Sequence, residues 1–106
     1  MTPSPRIRGA RERAARRWYV YLIACRNGAI YTGIALDVAA RYAQHAAGTG
    51  ARYTRANPPC RLLVKFACPN QSAACRMEAA VKRLPASAKR ALVDKSSRTA
   101  QRILFG

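Results

Sequence analysis

Acidic side chains are scarce in this chain, which has 4 of them against 20 lysines and arginines. An all-protein calcium cage needs several carboxylates close together and is thereby nearly excluded. A two-carboxylate glycosidase would need two of these few groups to converge. The carboxylates are Glu12, Asp37, Glu78 and Asp94. A metal site built on one carboxylate remains open.

Histidine, paired cysteines and long apolar runs are also rare or missing. The chain has one histidine and no Cys-x-x-Cys pair, which disfavours a structural zinc site. We expect Cys25 and Cys75 to be buried free thiols in a reducing cytosol. No apolar run approaches the roughly 18 residues of a spanning helix, and no secretory apolar segment is evident. We therefore expect a cytoplasmic protein.

The excess of basic residues is the strongest compositional signal. A length of 106 residues suits one domain with one modest core, and the formal net charge is +16. Such a charge indicates an anionic partner, most often a nucleic acid, and so predicts association with the nucleoid. An acidic membrane surface is the competing partner. No strongly amphipathic basic helix supports it, so we expect no membrane contact.

Residues 1–17 are rich in arginine and are interpreted as a basic, flexible arm. The arm is either a solvated extension or an additional contact to a nucleic-acid backbone. The rest of the chain is strongly basic by itself. Residues 18–106 therefore indicate an anionic partner even without the arm.

Hydrophobic patterning predicts an α+β domain over residues 18–94, followed by a tail over residues 95–106. Strands are predicted over residues 18–25, 29–34 and 61–67, and a basic loop over residues 51–60. Helices are predicted over about 38–47 with Asp37 as N-cap, over about 72–84, and from Ser87 to about Asp94. The order is ββαβαα. Since three short strands are not stable alone, helices must flank this three-stranded antiparallel sheet.

The loop between the first two strands decides whether two tyrosines share a face of the sheet. A two-residue loop would place Tyr21 and Tyr31 on opposite faces. A three-residue loop, Arg26-Asn27-Gly28, with Gly28 in the left-handed region would pair Tyr21 with Gly33. Both hydroxyl groups then emerge on one face, with room above the glycine. We predict this second register.

Three further polar side chains belong to the candidate site. Arg41 and His45 are four residues apart on the first helix and share one of its faces. Glu78 lies at the edge of the buried face of the second helix. Simpler interpretations stay open: Arg41 as a partner of Asp37, His45 as a group favoured by the helix dipole, and Glu78 as a partner of Lys82.

In this order and spacing the residues resemble the GIY-YIG nuclease domain, in particular its small stand-alone bacterial members. The matching motifs are Tyr19-Val20-Tyr21, Tyr31-Thr32-Gly33, Arg41-x-x-x-His45, Glu78 and the stretch GARYTRANPP at residues 50–59. The resemblance covers residues 18–93. The first motif departs from Gly-Ile-Tyr, and Ile34-Ala35 stand where many members have a lysine.

The resemblance implies an endonuclease that hydrolyses phosphodiester bonds of DNA, with branched or damaged DNA as candidate substrates and RNA as the second nucleic acid. It implies that Glu78 holds one Mg²⁺ or Mn²⁺ ion and that Arg41 stabilises charge on the phosphoryl oxygens. Tyr31, assisted by Tyr21, is the first candidate for the base, and His45 is the other.

The alternative function is a nucleic-acid-binding module on the same fold without catalysis. Both functions use the same contacts to the nucleic acid, which we place at Gly33, Arg52, Tyr53, Arg55 and Lys82. A lone carboxylate that faces phosphate favours the enzyme. The missing lysine favours the binding module. A monomer is the default expectation for the oligomeric state.

Overall fold

A computed structural model of the protein describes residues 17–106, which form three strands and five helices. The strands are β1 (Trp18–Cys25), β2 (Ile30–Ala35) and β3 (Pro59–Cys68). The helices are α1 (Val38–Ala46), α2 (Arg52–Ala56), α3 (Gln71–Lys82), α4 (Ala86–Ala91) and α5 (Ser97–Phe105). The predicted class, α+β with a three-stranded antiparallel sheet and flanking helices, is confirmed.

The sheet has the order β2-β1-β3, so the most apolar strand is central. The hairpin has the predicted three-residue loop, with Gly28 at φ 86 and the Cys25 amide donating to the Ala29 carbonyl at 2.9 Å. Tyr21 consequently faces Gly33, and Ile23 faces Tyr31. The predicted register is confirmed, and it places both tyrosines on one face.

Both faces of β1 are buried, and each face has its own hydrophobic cluster. Val20 and Leu22 belong to the larger cluster, beneath Met77 and Val81 of α3. The side chains that alternate with them, including Tyr21 and Ile23, form the smaller cluster with Val38 of α1. This double burial explains why the strand is apolar throughout rather than alternating. The smaller cluster forms the floor of the candidate site.

Of the two helices between β2 and β3, α1 was predicted from the sequence and α2 was not. Asp37 caps α1 as predicted, its carboxylate accepting from the Ala40 amide at 3.0 Å. The predicted loop over residues 51–60 contains the five-residue helix α2 and the first residues of β3. A helix this short has no readable period and depends on tertiary contacts.

The second half of the chain brings further corrections. Helix α3 is capped by Asn70, whose side chain accepts from the Ala73 amide at 2.8 Å, and it ends at Lys82. Helix α4 follows Pro85 without a side-chain cap, so the prediction that Ser87 caps it is wrong. Cys25 is buried as predicted, whereas Cys75 is exposed because its neighbour Ala74 faces the core.

The tail predicted over residues 95–106 contains helix α5, capped by the Ser96 hydroxyl. Only Ala100 of this helix is fully buried, and Ile103 and Phe105 are 55% and 53% exposed. Ala100 and Leu104 lie one turn apart and pack against the core, so the helix has an apolar stripe that spans too few residues to be recognised in the sequence. The observed order is ββααβααα, and α5 packs against β3 and α3.

The basic arm expected over residues 1–17 lies outside the described residues except for Arg17, which is exposed. Among residues 17–106, no helix is long and apolar enough to cross a membrane.

Candidate active site

The two tyrosines of the hairpin form a stacked pair on the face covered by α1. Their ring centroids are 6.3 Å apart, and the ring planes differ by 8°. The ring of Tyr21 fills the space above Gly33, where an added Cβ would lie 2.5 Å from the Tyr21 hydroxyl oxygen. Glycine is therefore required for packing at this position. The nucleic-acid contact expected of Gly33 stays a prediction.

His45 extends from α1 into this cluster and is 1% exposed. Its Nε2 atom lies 2.9 Å from the Tyr21 hydroxyl oxygen, and its Nδ1 atom lies 2.6 Å from Oγ1 of Thr54. The Thr54 hydroxyl donates its one proton to the Ala51 carbonyl at 3.0 Å. It must therefore accept from Nδ1–H of His45, which leaves Nε2 as acceptor for the Tyr21 hydroxyl.

The pKa shifts agree with this direction of donation. Burial lowers the pKa of His45, and the charge of Arg41 lowers it further, so the imidazole is neutral at pH 7. Burial, together with Tyr31, raises the pKa of Tyr21 against the opposing effect of Arg41. Burial likewise raises the pKa of Tyr31. Both phenols are protonated, and only Tyr21 has a base within hydrogen-bond distance.

Arg41 on α1 and Glu78 on α3 approach the tyrosine pair from two different helices. The charges of both residues act on both tyrosine hydroxyls, Arg41 lowering their pKa and Glu78 raising it. Arg41 donates to Oε1 of Gln44 at 2.7 Å, and among residues 17–106 no ion pair joins it to Asp37. The five candidates Tyr21, Tyr31, Arg41, His45 and Glu78 thus converge on one region.

Glu78 can serve a metal site only as a single ligand. Its side chain is 24% exposed and forms an ion pair with Lys82 at 3.6 Å, so the simpler interpretation of Glu78 is also realised. Within residues 17–106, no group of three His, Cys, Asp or Glu side chains could hold an ion. A partly exposed carboxylate beside hydroxyl groups fits Mg²⁺, which keeps several waters and uses one or two carboxylates.

Helix α2 presents a second set of candidates beside the tyrosine pair. Arg52, Tyr53 and Arg55 are exposed on this helix, while Thr54 between them is buried. The ring of Tyr53 lies 6.1 Å from that of Tyr31. The exposed side of α2 thus has positive charge and an aromatic ring, which suit phosphate contact and base stacking.

Two residues that hold the site together were not among the candidates predicted from the sequence. Thr54 fixes the tautomer of His45, and its only signal was its place within the stretch at residues 50–59. Asn27, interpreted only as a turn residue, donates to the Tyr53 hydroxyl at 3.2 Å and to Oδ1 of Asn57 at 2.9 Å. It thereby ties the hairpin loop to α2.

Comparison with known proteins shows the family to which this chain is similar. A family model described as the GIY-YIG catalytic domain matches residues 17–91. A UPF0213 protein of Xanthomonas axonopodis pv. citri is 46% identical over 86 residues, which are 81% of this chain and 84% of that protein. A UPF0213 protein of Cupriavidus pinatubonensis is 50% identical over 80 residues, which are 76% of this chain and 89% of that protein.

One solved structure is also similar to this chain. It is the solution NMR structure of a UPF0213 protein from Bacillus halodurans, at 43% sequence identity and a TM-score of 0.47. The match covers 73% of this chain and 82% of that protein.

The lowered pKa of His45 makes stability depend on pH. The unfolded chain binds a proton at this histidine below about pH 6.5, whereas the folded chain resists protonation to lower pH. The unfolding free energy should therefore fall as pH falls from 7.5 to 5, by at most about 1.4 kcal/mol per pH unit. Urea unfolding at stepped pH measures this. Since the chain has one histidine, His45→Gln should remove the dependence; an equal slope in both proteins would contradict the assignment.

Thr54→Val should release His45 from its tautomer. The substitution keeps the side-chain shape but leaves the buried Nδ1–H without an acceptor, which costs about 1–3 kcal/mol of stability. Long-range ¹⁵N–¹H spectra of the imidazole should show Nδ1 protonated in the wild type and mixed tautomers in the variant. Thr49→Val, in the segment between α1 and α2 and exposed, is the matched control. Unchanged ring-nitrogen shifts in Thr54→Val would be incompatible with the hydrogen-bond chain.

Proposed function

The chain belongs to the GIY-YIG family, and from that premise we propose that it is a metal-dependent endonuclease that hydrolyses phosphodiester bonds of DNA. The observation that carries the proposal is the 2.9 Å contact from the Tyr21 hydroxyl to a neutral His45 in a cluster that also includes Arg41 and Glu78. A protein that only binds nucleic acid has no need of a buried base connected to a hydroxyl. Branched or damaged DNA is the proposed substrate form.

Glu78 is the proposed ligand of one Mg²⁺ or Mn²⁺ ion, with water and a phosphate oxygen in the remaining positions. When bound, the ion would polarise the phosphate and stabilise the leaving oxygen. Arg41 stabilises negative charge on the phosphoryl oxygens, because its planar fork of donors matches two of them. Its contact with Gln44 orients the guanidinium from one side.

The proton of the attacking water passes, in this proposal, to Tyr21 as the proton of Tyr21 passes to Nε2 of His45. Raised pKa values mean that neither tyrosine is a phenolate at neutral pH, so a tyrosine acts as base only if a partner takes its proton. Tyr21 has that partner at 2.9 Å. Thr54 supports the transfer by holding Nδ1–H, which keeps Nε2 free to accept.

Tyr31 takes a positioning role in this scheme, which revises the earlier choice of Tyr31 as first candidate for the base. No hydrogen bond joins its hydroxyl to a base among the described residues, and its ring is more exposed than that of Tyr21. Stacked on Tyr21, it can orient the attacking water and the phosphate. Arg52, Tyr53 and Arg55 bind the adjoining strand by phosphate contact and stacking.

A binding module without catalysis is the second candidate, favoured by the ion pair of Glu78 with Lys82. In that case the carboxylate would neutralise Lys82 and would not need a metal. Both functions act on a nucleic acid in the cytoplasm near the nucleoid, with RNA as the second possible substrate. They differ in whether the phosphodiester bond is broken.

Glu78→Ala should abolish metal-dependent nicking of supercoiled plasmid in Mg²⁺ or Mn²⁺, by a factor of about 100 or more, because the one carboxylate of the site is lost. Asp94→Ala is the matched control, since it removes an 82% exposed carboxylate whose partner is Lys95. Cleavage that persists in Glu78→Ala would point to another site or to a contaminant. Binding without cleavage on duplex, flap and single-stranded DNA would favour the binding module.

The pH dependence of cleavage separates His45 from Tyr31 as proton acceptor. Because His45 must be neutral to accept a proton, kcat should fall as pH falls through its lowered pKa. In His45→Gln, kcat should no longer fall with pH on the acid side (the acid limb), and the rate should be lower by about 100-fold or more. Tyr31→Phe should keep the limb at a reduced rate. A limb that disappears in Tyr31→Phe and survives in His45→Gln would reverse the two roles.

A further inference from the structure

An open cavity lies at the free edge of the sheet, beside the cluster described above but outside its hydrogen-bond chain. Its volume is about 280 Å³, and it is lined by Ile30, Tyr31, Thr32, Tyr53 and Lys82, so Tyr31 of the candidate active site also borders it. Such a volume is far larger than one water molecule needs. The lining joins three kinds of recognition group: a hydroxyl, an aromatic ring and an ammonium.

Thr32 is the unusual member of this lining. The residue is 3% exposed, and its Oγ1 has no hydrogen-bond partner within residues 17–106. A buried hydroxyl without a partner costs about 1–3 kcal/mol, so such groups are rare unless they have a use. Valine would fill the same space on this strand without that cost.

The backbone of β2 adds donors and acceptors at the same place. The Cys25 amide donates to the Ala29 carbonyl, so this is a hydrogen-bonded pair of the hairpin. Hydrogen-bonded and non-hydrogen-bonded pairs alternate in an antiparallel ladder, and the Leu22–Thr32 pair is therefore non-hydrogen-bonded. The amide and carbonyl of Thr32 thus point away from β1, towards the free edge that borders the cavity.

Lys82 and Tyr53 lie on other elements that border the cavity. Lys82 is 56% exposed, and its ion pair with Glu78 is 3.6 Å long, which leaves further donors on its ammonium group. Tyr53 is 43% exposed and is held from behind by Asn27 and by the ring of Tyr31. A preformed aromatic surface thus lies opposite a cation.

We propose that Thr32, Lys82 and Tyr53 form a nucleotide-binding subsite, in which a phosphate group accepts from the Thr32 hydroxyl and the Lys82 ammonium while the neighbouring base stacks on Tyr53. This inference rests on the proposed function for the identity of the polymer, since the nucleotide is the one that adjoins the scissile bond. Binding at the subsite does not itself require cleavage. The Thr32 hydroxyl then finds, in the bound state, the partner that it lacks in the free protein.

The experiment measures binding in EDTA, where no metal-dependent cleavage occurs. ¹⁵N-labelled protein is titrated with the dinucleotide TpT, with thymidine 5′-monophosphate and with inorganic phosphate. We expect shifts at the Thr32 amide and at Lys82 with both nucleotides, and weaker shifts with phosphate alone because no base is stacked. Equal responses to all three probes would reduce the subsite to a simple anion site and overturn the nucleotide assignment.

Thr32→Val and Lys82→Met test the two polar contacts. Each substitution should raise the Kd for TpT about tenfold, because each removes a hydrogen bond to a charged group. Thr99→Val and Lys95→Met are matched controls: the Thr99 hydroxyl is bonded to Ser96, and Lys95 is paired with Asp94 at 3.6 Å. Tyr53→Leu should weaken binding by at least about fivefold through lost stacking.

Stability separates a binding role of Thr32 from a structural one. Thr32→Val should leave Tm unchanged or raise it by several degrees, because the orphaned hydroxyl is removed, while nucleotide binding weakens. A lower Tm together with unchanged binding would make the hydroxyl structural and overturn the proposal. Weakened nucleotide binding in Thr32→Val would support the subsite even if Glu78→Ala left cleavage intact. The binding result therefore tests the subsite, and the cleavage result tests the proposed function.

Discussion

The hydrogen bond between Tyr21 and His45 is the contact on which the rest of the site depends. It joins the central strand to α1 across a buried cluster, and Thr54 extends it to α2. Three elements that share few other polar contacts are thereby held in one arrangement. The same bond requires Gly33 opposite Tyr21, because any Cβ there would displace the phenol ring.

Local rules predicted much of this arrangement from the sequence. The hairpin register followed from one glycine with positive φ, and the cap at Asp37 followed from its position before an apolar period. The scarcity of carboxylates singled out Glu78 as the candidate metal ligand, and that role stays a prediction. The register and the cap each depend on a few neighbouring residues, and this is why the sequence was sufficient for them.

The features that were missed depend on contacts between distant residues. Helix α2 is too short for periodicity and is stabilised through Thr54 and through Asn27 of the hairpin loop. Helix α5 is 9 residues long and packs only Ala100 and Leu104 against the core, while Ile103 and Phe105 are exposed, so its apolar stripe is too short to be recognised from the sequence. The orphaned hydroxyl of Thr32 is visible only once its surroundings are known.

Helix α2 has one side in the protein interior and the other in solvent. Thr54 on the inner side holds the imidazole of His45, while Arg52, Tyr53 and Arg55 on the outer side face the solvent. Under the proposed function, substitutions on the outer side would change which nucleic-acid shapes are preferred and leave the Tyr21–His45–Thr54 contacts intact. A single helical turn would thereby separate the choice of nucleic acid from the proposed reaction.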